Sequence, residues 1–164
     1  MTWYSFASFC TTQMACSGKL DVEVEIKSSA DKFWRWIRDS TTIYPKAFPE
    51  TYKSIEVLEG DGKAVGSVRL LTYSEGSPLH VLKQRIDFVD ETNRVVDYSF
   101  IDGDLQKYYK TFKGHIVVGP KEDGCLVKWS CEYEKASEDS AAPHAIKDFV
   151  VKNFQAMDEL IMKA

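Results

Sequence analysis

Residues 143–163 read PHAIKDFVVKNFQAMDELIMK. Ile146, Phe149, Val150, Phe154, Met157, Leu160 and Ile161 recur at three- and four-residue steps, the spacing of one helix face. Lys147, Asp148, Lys152, Asp158, Glu159 and Lys163 occupy the other face. No glycine interrupts the run, and Pro143 suits a first helical position. The spacing therefore predicts one long helix of about 31 Å.

Upstream of it the period is mostly two. Leu20, Val22, Val24 and Ile26 alternate with Asp21, Glu23, Glu25 and Lys27, a half-buried strand. Six more runs read as strands: Tyr52–Glu59, Ser67–Tyr73, His80–Val89, Arg94–Ile101, Gln106–Val118 and Cys125–Lys135. Turn residues divide them, and the links are too short for parallel crossovers, so consecutive strands should pair antiparallel. Between the first two strands, Ser28 and Asp31 have capping-box spacing, ahead of Phe33, Trp36 and Ile37. A short helix should run to about Asp39, and Pro45 and Pro49 should bracket a second short helical or turn segment, Tyr44 to Phe48.

Seven strands make a sheet roughly 34 Å wide, whereas one helix is only about 10–12 Å across. A flat sheet would leave most of its apolar face wet. The economical solution is an α+β fold in which a curved antiparallel sheet grips the helix, with space left between them.

Parity says what lines that space. The inward sets are Leu82, Gln84, Ile86 and Phe88; Val96, Tyr98 and Phe100; Tyr108, Lys110, Phe112, Gly114, Ile116 and Val118; and Val127, Trp129, Cys131 and Tyr133. Gln84 and Lys110 fall in register with apolar neighbours, which a ligand pocket tolerates better than a dry core. A lysine snorkelling to the rim is the plainer account of Lys110.

The chain of 164 residues suits one domain. Hydrophobic residues at 44% and charged residues at 28% describe a globular chain. The net charge of −4 argues against nucleic acid or an anionic membrane as a partner. No apolar run is long enough for a membrane-spanning helix. Residues 1–17 carry no charge, make a poor signal peptide and read as a poorly ordered extension before a domain at 18–164. Of the four cysteines, Cys125 and Cys131 lie roughly 20 Å apart along one strand, beyond disulfide reach. Reduced thiols in the cytoplasm, and a monomer, are the default expectations. The three histidines, His80, His115 and His144, have no metal-ligand spacing, so neither metal nor cofactor is expected.

From Gly18 onward the chain resembles the plant major latex proteins, of the superfamily named for the major birch pollen allergen and the class-ten pathogenesis-related proteins. The matching segments are GKLDVEVEIKSSADKFW (18–34), YPKAFPETYKSIEVLEGDGKAVGSV (44–68), QRIDFVDETNRVVDYSFIDGDL (84–105), YYKTFKGHIVV (108–118) and CLVKWSCEYEKASED (125–139). The resemblance implies a helix-grip fold, with seven antiparallel strands, two short helices in a V and a long C-terminal helix over an apolar cavity. It implies binding of hydrophobic small molecules, such as plant secondary metabolites, steroids or hormone-like compounds, in defence or metabolite handling. Some relatives are enzymes of alkaloid biosynthesis, by Pictet–Spengler condensation or isomerisation.

The loop Glu59-Gly60-Asp61-Gly62-Lys63-Ala64-Val65-Gly66 matches the family's glycine-rich loop. It joins two strands and lacks a Walker ending, so hairpin glycines explain it better than a nucleotide site. The superfamily's hormone receptors carry Ser-Gly-Leu-Pro-Ala and His-Arg-Leu loops, which are absent here: the corresponding stretches begin at Ser74 and Asp102.

As a binding module, the chain offers Tyr98, Tyr108, Tyr133, Trp129, Phe88, Phe100 and Phe112 as stacking area. Arg69, Gln84 and Lys110 would orient a polar end. Trp36, Tyr44, Leu71, Tyr73, Leu82, Ile86, Val96, Cys131, Phe154 and Met157 would close the pocket. As an enzyme, it would need an acid–base group in an apolar site, and Lys110 with Tyr98 or Tyr108 is the candidate set.

Overall fold

The structure, a computed structural model, describes residues 16–77 and 79–164. The chain order is β1 (Ser17–Ile26), α1 (Ala30–Arg38), α2 (Ser40–Ala47), β2 (Tyr52–Glu59), β3 (Val68–Tyr73), β4 (Val81–Asp90), β5 (Val95–Gly103), a 3-10 turn (Asp104–Lys107), β6 (Tyr109–Lys121), β7 (Gly124–Lys135) and α3 (His144–Lys163). The uncharged extension lies outside the described residues as far as position 15, and β1 already begins at Ser17.

The seven strands form one antiparallel sheet in the order β1-β7-β6-β5-β4-β3-β2. From β2 to β7 each strand pairs with the next. β1 lies at one edge and β2 at the other, so the chain between them must cross from edge to edge. It does so through α1 and α2, which close one side of the sheet. The long helix α3 covers its inner face. This is the helix-grip architecture.

Local chemistry departs from the sequence reading at three points. Ser29, rather than Ser28, caps α1, its hydroxyl accepting from Lys32 N at 3.3 Å. Ser28 serves α3 instead. The Asp158 carboxylate accepts from Lys27 N and Ser28 N at 2.9 Å and from Ser28 Oγ at 2.5 Å. The second helix starts earlier than expected, at Ser40. Phe33 of α1 meets Phe154 of α3 edge to face, with centroids 5.6 Å apart, so the C-terminal half of α3 is packed as well as tied.

The β2–β3 loop is a turn built for its own backbone. The Asp61 carboxylate accepts from Lys63 N and Ala64 N at 2.8 Å, and these bonds hold its pKa below the usual value. Gly60 and Gly62 sit at φ 76° and 88°, where side chains are strained.

Register shifts in β4 and β6 reset the parity of expected site residues. Between Ile86 and Phe88 the β4–β5 register shifts by one residue, and Phe88 turns outward, 47% exposed, while Val89 packs inward. Between Tyr109 and Thr111 the β6–β7 register shifts likewise. Tyr109 therefore points inward and its hydroxyl donates to Ala141 O at 2.6 Å, whereas Tyr108 is 55% exposed.

Candidate functional site: a cavity between sheet and helix

Sheet, helix V and α3 enclose a cavity with about 110 Å³ open to the centres of water-sized atoms. One buried water needs only about 10–15 Å³ on that measure. Side chains have not filled the grip.

One wall is aromatic. Tyr44 and Tyr52 lie 5.2 Å apart, as do Tyr52 and Tyr73, and Phe149 of α3 packs 5.9 Å from Tyr73. The opposite wall carries Val96, Tyr98 and Phe100 of β5, Ile116 of β6 and Trp129 of β7. Tyr98 lies over Gly114, its cross-strand partner, so closely that a β-carbon there would strike the ring. The missing side chain lets the Tyr98 hydroxyl reach Trp129 Nε1, which donates to it at 2.9 Å.

The polar end is on β3 and β4. Arg69 and Gln84 face each other across the register, 8% and 7% exposed. Arg69 Nε donates to Gln84 Oε1 at 3.1 Å, and Nη2 donates to the same oxygen. Nη1 donates to Ser40 Oγ at 2.7 Å and to Thr41 Oγ1 at 3.3 Å. Burial lowers the Arg69 pKa, but an arginine starts so high that it keeps its charge. Burial also raises Tyr44, Tyr52 and Tyr73 well above the ordinary phenol, and pushes Tyr98 up to about 12. All four are neutral hydroxyls near pH 7. Tyr44 donates its own to Met157 Sδ at 3.2 Å.

Tyr44, Arg69, Leu71, Tyr73, Gln84, Ile86, Val96, Tyr98, Phe100, Trp129 and Phe154 line the cavity. Leu82, Phe112, Cys131 and Met157 are buried but pack in the core outside the lining, and Trp36 is half-buried against that core. Three expectations are corrected. Phe88 and Tyr108 are on the surface, turned out by the bulges. Lys110 is also outside, its side chain 63% exposed and 3.9 Å from Glu134. The β6 bulge leaves Lys110 and Thr111 both outward before Phe112 restores the alternation. Lys110 is therefore neither ligand anchor nor cavity base.

Several lining residues were not nominated from the sequence: Ile37 and Ser40 of the V, Tyr52 and Ile55 of β2, Leu79 and Leu105 of the loops, and Ile146, Phe149, Val150 and Asn153 of α3. The apolar stripe of α3 signalled the last group. The cavity takes the stripe as far as Phe154, while Met157 and Ile161 sit in the core.

Among the described residues no three His, Cys, Asp or Glu side chains gather as a metal site, and no helix is long and apolar enough to cross a membrane. His115 Nδ1 pairs with Asp97 on the outer face. Cys16, Cys125 and Cys131 are free.

The family model of the pathogenesis-related protein Bet v 1 family matches residues 15–164. The chain belongs to the Bet v 1 family. MLP-like protein 423 of Arabidopsis thaliana is 54% identical over 151 residues, covering 92% of this chain and 97% of that protein. The crystal structure of ginseng major latex-like protein 151 from Panax ginseng superposes with a TM-score of 0.81 at 28% identity, over 88% of this chain and 97% of the other. Norcoclaurine synthase from Thalictrum flavum shares the fold, with a TM-score of 0.71 at 23% identity, over 94% of this chain and 92% of that one. Within the Bet v 1 family this chain thus stands beside the major latex-like proteins.

Proposed function

We propose that this Bet v 1 family member binds a small, partly aromatic apolar metabolite between sheet and helix, as a carrier or reservoir in defence or metabolite handling. The observation that carries the reading is the unfilled cavity itself, walled by aromatic and aliphatic side chains with a few polar groups at one end. An empty apolar space forgoes dispersion contacts and is destabilising, so retaining one through so many large side chains favours an occupant.

The magnitudes limit what apolar contact can do. An aromatic body burying about 200 Å² contributes about 5 kcal/mol. The loss of translational and rotational freedom offsets most of that. Useful affinity then depends on the polar end. Acid–base chemistry is less supported: Lys110 and Tyr108 lie outside, and Tyr98, with its raised pKa and bond from Trp129, is a poor base near neutral pH.

The test is fluorescence titration with N-phenyl-1-naphthylamine, an uncharged probe. Emission should rise and saturate near one probe per chain. Lys110→Met should bind as the wild type does, and Val96→Phe, which fills the cavity, should bind at least tenfold more weakly. A flat titration of the wild type, or undiminished binding by Val96→Phe, would remove the cavity from the account.

A further inference from the structure

Arg69 is a buried cation held by neutral groups. Its partners are the Gln84 carbonyl oxygen and the hydroxyls of Ser40 and Thr41. Among the described residues no aspartate or glutamate lines the cavity. Burying a charge without its opposite is costly, and an aliphatic side chain would join β3 to β4 without that cost. The other arginine in the lining, Arg38, is already paired with Glu91 at 2.5 Å.

The hydrogen-bonding capacity is unbalanced in the same sense. A guanidinium has five N–H donors, and four are engaged. Gln84 turns its carbonyl to Arg69, which leaves its amide N–H₂ without a partner among the described residues. The buried Tyr52 and Tyr73 hydroxyls, both in the lining, likewise have no protein partner among those residues. Arg69 and the Gln84 amide give one end of an otherwise apolar space a positive charge and spare donors.

We propose that the ligand is an aromatic monocarboxylate, with its carboxylate neutralising Arg69 and its ring packed against Tyr44, Tyr52, Tyr73 and Phe149. This rests on the binding role proposed above and names the chemical class it serves. One unpaired cation fits one negative charge. A phosphate monoester, with nearly two at neutral pH, would bring a second charge into the same space with nothing to neutralise it. The one N–H left on Arg69 also bonds more strongly to a charged carboxylate oxygen than to a neutral carbonyl.

The experiment is competition against bound N-phenyl-1-naphthylamine by 2-naphthoate and by its uncharged isostere 2-naphthamide. In the wild type the acid should displace the probe at about one-tenth the concentration the amide needs. In Arg69→Gln, checked for folding by circular dichroism, acid and amide should converge. Equal displacement by the two in the wild type, or none, overturns the monocarboxylate proposal whether or not the variant folds, and leaves the cavity reading standing. A preference that survives in Arg69→Gln overturns it too. Failure of the neutral probe to bind the wild type overturns the binding role itself, and is seen before any competitor is added.

Discussion

Asp158→Ala is expected to lower stability by about 2–4 kcal/mol, read as a fall in melting temperature of about 5–12 °C. The carboxylate takes three hydrogen bonds from the link between β1 and α1. Two come from Ser28, which is buried and would keep an unsatisfied N–H and hydroxyl. The third, from the exposed Lys27 backbone, is screened by water and contributes less. Alanine removes the acceptor but leaves the buried donors, the costly half of a broken bond. Asp158→Asn retains one acceptor oxygen and should recover part of the loss. A melting temperature within about 1 °C of wild type for Asp158→Ala would show that the tie is ornamental.

Gly114→Ala should also destabilise, by about 2 kcal/mol. The sign is informative, because alanine for glycine within a strand ordinarily gains stability by restricting the unfolded chain. Here any β-carbon meets the Tyr98 ring. That ring is buried, packed edge to face on Phe100 at 5.5 Å and bonded to Trp129, so it has no cheap way to move. Its escape is toward the cavity, which should weaken binding of the neutral probe together with stability. Thermal melting and one titration on the same sample check both. An alanine variant as stable as wild type, with unchanged probe binding, would refute the assignment of Gly114 as the seat of that ring.

Strand alternation made most of the fold and part of the cavity readable in the sequence. In β5 and β7 it puts Val96, Tyr98, Phe100, Val127, Trp129, Cys131 and Tyr133 inside, where the structure buries them. It fails where a strand contains one residue more than its partner. Nothing in DFVD or YYKT announces a bulge, so Phe88, Tyr108 and Lys110 are assigned to the wrong face. Residues from loops and short helices were beyond periodicity for another reason. Ser40, Leu79 and Leu105 reach the cavity only because separate elements dock there, which is tertiary information. Burial without lining is equally invisible: Leu82 and Phe112 share parity with Gln84 and Ile116 yet sit in the core.

The tie at Asp158 has a mechanical consequence. It fastens α3 near one end. At the other, Pro143 supplies no side-chain cap and the first turn carries no acidic residue. Ile146, Phe149 and Val150 there are only half-buried over the cavity. Amide hydrogens of residues 146–150 should accordingly exchange with deuterium faster than those of 154–161, whereas uniform protection along α3 would mean that it opens only with the whole domain. Such a roof lifts like a flap clipped along one side. On the binding role proposed above, the residence time of a bound molecule should follow the loose end and the melting temperature the clipped one, so the two properties can drift apart under mutation.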